Sequence, residues 1–187
     1  MTQFSIGEKI LDFIFQTPFD TKSTLYDTSQ GKKILLLFLR FMGCRLTQLE
    51  IRRLIQHYDQ IISQDTRAFV VVQSPPATVR EYYNHNDLPF TIICDPEKKL
   101  YQQFSVLPAE TEEVMKSGGY NAKIEQINLT EPDLVRGKAE GDPLQLPAVF
   151  LTDESLVLKY IYYGKNASDI PLTAEIVGLL SQMDAKK

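Results

Sequence analysis

An uninterrupted apolar run followed directly by a helical pattern is the feature that most restricts the fold of this chain. The run from Ile34 to Leu39 contains no polar residue, which is typical of a strand whose two faces are both covered. From Leu46 onwards the apolar residues follow the spacing of one helical stripe, at Ile51, Leu54, Ile55, Tyr58, Ile61 and Ile62. A strand buried on both faces needs helices on each side of its sheet, so a layered α/β fold is predicted.

The alternation of strands and helices continues along the chain. Further strands are predicted at residues 68–74, 90–95, 146–153 and 156–164, and the last two are close enough to form a hairpin. Helices are predicted to follow Ser74-Pro75-Pro76 and Asp95, and a final helix is predicted to begin at Thr173. This order predicts a mainly parallel sheet with antiparallel closing strands and helices on both faces.

Residues 107–142 interrupt this pattern. They are polar, contain several glycines and show no sustained period. A stretch of about 36 residues is too short to form a core of its own. We therefore expect a single domain over residues 1–187, with a partly ordered insertion at about 107–142.

Composition narrows the functional class. The chain has 187 residues, of which 43% are hydrophobic and 24% charged, and its net charge of −4 does not favour nucleic acid as a partner. Its longest apolar run is too short for a membrane span, and the first residues, MTQFSIGEKI, do not resemble a signal peptide. Two cysteines do not make a disulfide framework. We expect a cytoplasmic protein with reduced thiols and no membrane partner.

Cys44 lies where the first strand ends and the first long helix begins. The first turn of a helix has unpaired N–H groups and a partial positive charge, and this environment stabilises a thiolate. Gly43 permits a sharp turn out of the strand, and Arg40 and Arg45 flank the cysteine with positive charge. Thr47, three residues on, places a hydroxyl where it can donate to the sulfur. Alternatively, Cys44 is a small buried apolar residue without reactivity.

Four stretches of the chain resemble one family. LLFLRFMGCRLTQLE, residues 36–50, resembles the redox-active segment of the alkyl hydroperoxide reductase/thiol-specific antioxidant family, in particular its peroxiredoxin-like branch. Three others follow in the same order: IGEKILDF, LPFTIICDPEKKLYQQFSV and GDPLQLPAVFLTDESLVLKYIYYGKNASDIP. The resemblance implies a thioredoxin-like three-layer α/β/α sandwich with a mixed central sheet. It also implies that Pro147 is a cis-proline beside the active site. No cofactor is expected.

The motif at the cysteine departs from the family's usual patterns. The branch usually carries Cys-Pro-x-Cys, whereas typical peroxiredoxins carry Thr-x-x-Cys with the peroxidatic cysteine second. This chain has Cys44-Arg45-Leu46-Thr47, so threonine occupies that second position. Cys94, at the end of a predicted buried strand, is the only other thiol. The resemblance therefore implies chemistry at a single thiol.

The leading prediction is a thiol-dependent redox protein. Cys44 would reduce a peroxide or a disulfide, and an external thiol such as thioredoxin or glutathione would restore it. The predicted catalytic residues are Cys44, Thr47, Arg45 and Arg40. The predicted substrate-binding residues are Pro147, Leu146 and Gly43. No metal site is predicted, because no ligand set has the right spacing.

Two other classes of function stay open at this point. One is a catalytically inactive thioredoxin-fold module that binds a protein partner. The other is a hydrolase or transferase in which Cys44 pairs with a histidine, either His57 or His85. Many relatives dimerise, which leaves a homodimer as a candidate assembly.

Overall fold

A computed structural model describes residues 3–184 of the chain. Its strands, in chain order, are β1 (Ile14–Phe15), β2 (Ser23–Thr24), β3 (Lys33–Phe38), β4 (Thr66–Val72), β5 (Thr91–Cys94), β6 (Ala148–Thr152) and β7 (Leu158–Tyr163). β1 and β2 form a small antiparallel pair, and the other strands form one sheet in the order β5-β4-β3-β6-β7. β4 runs parallel to its neighbours β3 and β5, whereas β6 runs antiparallel to its neighbours β3 and β7. The predicted mixed sheet is confirmed.

The helices surround this sheet. They are α1 (Leu25–Ser29), α2 (Arg45–Ile62), α3 (Pro76–Tyr82), α4 (Lys99–Gln103), α5 (Glu112–Met115), α6 (Tyr120–Thr130) and α7 (Thr173–Asp184). Residues 107–142 thus contain α5 and α6. Of the helices in residues 3–184, none combines the length and the apolar character needed to cross a membrane.

The central strand β3 is buried along its whole length because an apolar layer covers each face of the sheet. Leu35 and Leu37 belong to the layer that includes residues of α2, α3 and α7. Leu36 and Phe38 point to the opposite layer, which includes Leu100 of α4 and residues of the N-terminal segment. Alternate residues of a strand face opposite sides, so residues 34–38 of β3 meet an apolar layer on each side, which explains why all of them are apolar.

A third apolar cluster lies beyond the carboxyl end of β3 and includes the start of α2. Its buried members are Phe41, Cys44, Leu46, Leu49, Ala109, Met115, Ile127, Leu134 and Ala167. Four of these come from residues 107–142, which therefore pack over the beginning of α2. The position of this cluster brings the cysteine and the 107–142 segment together.

Candidate functional site

Cys44 is the N-cap residue of α2. Its backbone is extended, with φ −86° and ψ 121°. Its carbonyl accepts the first helical hydrogen bond from the Gln48 N–H at 3.1 Å, and its own N–H donates to the Phe41 carbonyl at 3.0 Å. The thiol therefore lies at the positive end of an 18-residue helix, where the helix dipole favours negative charge.

Arg40 contacts the sulfur directly. Its Nη1 donates to Cys44 Sγ at 3.3 Å, and its Nη2 donates to the Pro143 carbonyl. The guanidinium carbon lies 5.2 Å from the centroid of the Phe41 ring, and only 8% of Arg40 is exposed. A buried cation is therefore held directly against the sulfur.

Thr47 acts on the site through Arg40. Its side chain is buried, and its Oγ1 accepts a hydrogen bond from the Arg40 backbone N–H at 3.2 Å. This contact links the first turn of α2 to the residues that follow β3. Thr47 thus helps to hold the backbone from which the Arg40 side chain reaches the sulfur.

Two further polar side chains hold the backbone before Cys44. Gln48 Nε2 donates to the Met42 and Val135 carbonyls, each at 2.9 Å. Ser74 Oγ accepts from the Met42 N–H at 2.9 Å. The sequence offers no signal for the role of Gln48, and it marks Ser74 only as part of a helix start. Both are buried polar residues, and each joins distant parts of the chain: Gln48 and Val135 are 87 positions apart, and Ser74 and Met42 are 32 positions apart.

Arg45 and Arg40 point in different directions. Arg45 Nη1 donates to Asn128 Oδ1 of α6 at 2.6 Å, so its charge lies against the 107–142 segment. The sequence places both arginines beside the cysteine, but it cannot show their side-chain directions. Of the two, Arg40 is the one whose guanidinium meets the sulfur.

Gly43 is required by close packing and not by the shape of a turn. Residues 42–43 do form the sharp turn that the sequence predicts, closed by the Cys44 N–H donating to the Phe41 carbonyl at 3.0 Å, but the φ of Gly43 is not positive. A Cβ at this position would lie 2.1 Å from the Lys138 carbonyl oxygen and 2.6 Å from the Gly137 carbonyl carbon. The Gly137 N–H also donates to the Gly43 carbonyl at 3.0 Å. Glycine here lets a second backbone lie directly against the residue before the thiol.

Pro147 lies near the site but not in the predicted conformation. The described residues contain no cis peptide bond, so the prediction of a cis-proline was wrong. The trans form is intrinsically preferred, and Pro147 leads into β6 with its carbonyl accepting from the Gly164 N–H at 2.9 Å. The Leu146 carbonyl accepts from Gln145 Nε2 at 3.1 Å. An extended substrate that paired here would compete with these internal bonds.

A small cavity connects Pro147 with Arg40 and Thr47. It has a volume of about 10 Å³, and Glu50 and Ala167 also line it. A space of that size holds about one water molecule. Leu146 is partly buried against the third apolar cluster, which also contains Cys44. The predicted substrate-binding residues therefore surround the site, but they leave little open volume.

Cys94 is not a partner for Cys44. It ends β5, which is separated from β3 by β4, and neighbouring strands lie about 4.8 Å apart. Both cysteines are free thiols. Burial raises the pKa of Cys94 to about 12, so this thiol stays protonated at neutral pH.

Both histidines lie away from the cysteine. His57 is thirteen residues further along α2, a rise of about 20 Å, and its Nδ1 bonds to the Arg53 carbonyl. His85 packs on Phe19, with ring centroids 5.0 Å apart, in a cavity at the opposite end of the sheet. Within residues 3–184, no three histidine, cysteine, aspartate or glutamate side chains are grouped to hold a metal ion.

Several solved structures have a fold similar to that of this chain. A mutant of peroxiredoxin 6 from Arenicola marina is 17% identical, with a TM-score of 0.74 over 98% of this chain and 76% of the other. A peroxidoxin from Mycobacterium tuberculosis is 12% identical, with a TM-score of 0.68 over 97% of each chain. A thiol peroxidase from Chromobacterium violaceum is 15% identical, with a TM-score of 0.63 over 98% of this chain and 90% of the other. These likenesses confirm the predicted thioredoxin-like fold.

Sequence comparison identifies the family. No curated protein sequence matches the chain. The AhpC/TSA family, however, matches residues 6–161, which include β1 to β6, the cysteine at the start of α2 and most of β7. Because this match spans most of the chain, and the fold agrees with it, the protein belongs to the AhpC/TSA family.

Proposed function

We propose that this protein is a thiol-dependent redox enzyme that reduces peroxides through Cys44 alone. The observation that carries the proposal is the 3.3 Å contact between Arg40 Nη1 and Cys44 Sγ at the N-terminus of α2. Two sources of positive potential, the guanidinium and the helix dipole, meet at one sulfur. Membership of the AhpC/TSA family supports a thiol-dependent peroxidase role for the chain.

The proposed reaction begins with attack of the Cys44 thiolate on one oxygen of a hydroperoxide. The O–O bond breaks, the sulfur becomes a sulfenic acid, and the leaving oxygen takes up a proton to give an alcohol or water. A thiol from outside the protein then condenses with the sulfenic acid, which releases water and forms a mixed disulfide. A second external thiol displaces Cys44 and leaves as part of a disulfide, so the Cys44 thiolate is restored.

The need for an external thiol follows from the position of Cys94. That thiol is protonated and lies two strands away from β3, so it is poorly placed to attack an oxidised Cys44. Thioredoxin and glutathione are the candidate reductants, and a disulfide is a second candidate substrate for the same thiolate. Cytoplasmic location and a homodimer stay predictions.

A catalytically inactive binding module is the competing proposal. Thr47 occupies the position of the peroxidatic cysteine of typical peroxiredoxins, and Cys44 is only 8% exposed. In that case Cys44 would be a small member of the third apolar cluster, and Arg40 would have a structural role.

The two proposals differ in whether Cys44 can be oxidised in the folded protein. We would treat the protein with hydrogen peroxide in the presence of dimedone, which traps sulfenic acids, and locate the adduct by mass spectrometry. Peroxide consumption would be measured in parallel with dithiothreitol, glutathione or thioredoxin as the reductant. We expect an adduct on Cys44 in the wild type and in the matched control Cys94→Ser, and none in Cys44→Ser.

Replacement of Arg40 by methionine provides a second comparison, because methionine keeps much of the side-chain length but removes the charge. We expect slower trapping in Arg40→Met at the same pH. A folded wild-type protein that forms no adduct and consumes no peroxide would refute the enzymatic proposal and favour the binding module.

A further inference from the structure

Residues 131–142, here named the strap, cross the start of α2 without forming regular secondary structure. Backbone contacts hold the strap against the residues around Cys44. The Gly137 N–H donates to the Gly43 carbonyl, and the Val135 carbonyl accepts from Gln48. The Lys138 carbonyl lies against Gly43 with no room for a Cβ between them. The strap therefore follows the backbone immediately before the thiol.

Arg52, in the middle of α2, holds the beginning of the strap by charge. Its Nη1 donates to Glu131 and lies 3.0 Å from Asp133 Oδ1, and its Nη2 lies 2.5 Å from Asp133 Oδ2. The side chain of Arg52 is 32% exposed, and those of Glu131 and Asp133 are 25% and 66% exposed. Ion pairs this accessible to water contribute little individually, and salt screens them.

The strap and α6 together cover the sulfur. Leu134 and Ile127 are buried in the same cluster as Cys44. Cys44 itself is only 8% exposed. A protein thiol that must attack the oxidised sulfur needs more access than this. The closed arrangement therefore has to open before such a thiol can react.

We propose that the strap is a lid over Cys44 and that Arg52 is its latch, so that opening of residues 131–142 controls access to the thiol. Opening requires loss of the Arg52 ion pairs, withdrawal of Leu134 from the third apolar cluster, and loss of the contacts that hold Asp142 to Gln73 and Lys98. The sheet and the long face of α2 keep their packing, and segments that bury few side chains can open locally without unfolding the rest of a protein. The proposal rests on the proposed function, since it describes how substrate reaches the same cysteine.

Alkylation of Cys44 tests the lid independently of any redox activity. In a Cys94→Ser background, we would measure native-state rates with iodoacetamide and with a bulky maleimide, in Arg52→Gln and in Lys116→Gln. Lys116→Gln is the matched control, because it removes an ion pair with Glu112 inside the same 107–142 segment without touching α2. From the range typical of partly exposed ion pairs, we expect alkylation to rise roughly three- to tenfold in Arg52→Gln and by less than about twofold in Lys116→Gln.

The dependence of the alkylation rate on salt concentration gives a second test, which uses the protein with Arg52 intact. Raising the ionic strength is expected to speed alkylation when Arg52 is present and to have little effect in Arg52→Gln. Glu131→Gln with Asp133→Asn removes the latch from the strap side, and it replaces Arg52→Gln if that variant does not fold. Urea denaturation of each variant shows whether faster alkylation comes from local opening or from lower global stability.

The outcomes separate the lid from the proposed function. Unchanged alkylation in both latch variants, or a gain fully explained by lower global stability, overturns the lid whatever the peroxide assays show. Faster alkylation at unchanged global stability supports the lid. If such a variant still consumes no peroxide and forms no sulfenic acid, the lid stands and the proposed function fails.

Discussion

Replacement of Gly43 by alanine tests the close packing beside Cys44. The added Cβ would lie 2.1 Å from the Lys138 carbonyl oxygen, 2.8 Å from the Lys138 nitrogen and 2.6 Å from the Gly137 carbonyl carbon. All three are backbone atoms, so no side-chain rotation relieves the overlap. Ordinary contacts of this kind begin at 3.4 Å, which leaves the nearest atom 1.3 Å too close. The backbone of residues 137–138 must therefore move away.

The cost of this movement has two parts. Overpacking in a tightly packed region destabilises a protein by about 1–3 kcal/mol. The shift also breaks the hydrogen bond between the Gly137 N–H and the Gly43 carbonyl, and a typical bond of this kind contributes about 0.5–1.5 kcal/mol. The two parts together give an expected loss of about 1.5–4.5 kcal/mol in the free energy of unfolding, with the lower end applying where detachment of the strap relieves most of the overlap.

Gly178→Ala is the matched control for this substitution. Gly178 lies within α7, and a Cβ there would meet nothing within 4 Å. Alanine in a helix interior is favoured over glycine by about 0.5–1 kcal/mol. The same chemical change is thus expected to destabilise at residue 43 and to stabilise at residue 178.

Urea denaturation followed by circular dichroism measures both changes. Alkylation of Cys44 supplies a second readout, since displacement of residues 137–138 is expected to expose the thiol and raise its rate. A Gly43→Ala protein with wild-type stability and a wild-type alkylation rate would show that the strap does not contact the residue before the cysteine.

Three further outcomes are expected from the structure. Burial raises the pKa of Cys94 to about 12, so a Cys44→Ser protein should resist iodoacetamide at pH 8 and react only after denaturation; a rapid native reaction would contradict this. Burial also raises the pKa of Glu50 above its ordinary value of 4.5. The folded protein therefore binds the Glu50 proton more tightly than the unfolded chain does, and the free energy of unfolding falls as the pH rises from 4.5 through the raised pKa. The unfolding free energy of Glu50→Gln minus that of the wild type should therefore grow with pH across this window, and a flat difference would refute the assignment. Tyr101 is fully buried, and its hydroxyl donates to the Leu39 and Val71 carbonyls. Tyr101→Phe should therefore lower the free energy of unfolding, measured by urea denaturation, by about 1–3 kcal/mol. An unchanged free energy would show that these hydrogen bonds do not stabilise the fold.

The strands and long helices could be predicted because their patterns are local. The apolar run at 34–39 predicts a strand buried on both faces, and the apolar stripe on α2 predicts which face of that helix is buried. A sheet that is buried on both faces must have helices on both sides, so few fold architectures are compatible with it. The elements β1, β2, α1, α5 and α6 were not predicted. The first four are too short to show a period. α6 is eleven residues long, but it buries Ile127 without presenting an apolar stripe, so its sequence does not predict a helix packed on a core.

The candidate site could be predicted only in part. A cysteine between a strand and a helix identifies the N-cap of α2, since that position follows from the order of two neighbouring elements. The partners of the sulfur do not follow from that order. Arg40 and Arg45 are equally near in sequence, yet Arg40 meets the thiol and Arg45 extends to α6.

The sequence by itself determined the layered α/β fold, the family and the position of one cysteine at a helix start. Only the tertiary structure decided that Arg40 contacts Cys44, that Gly43 leaves room for Lys138, that Pro147 is trans and that Leu134 packs in the same apolar cluster as the thiol. The physical reason is the range of the interactions. Hydrophobic period and helix capping act between residues a few positions apart, whereas the cover over the thiol joins residues about ninety positions apart, which no local pattern records.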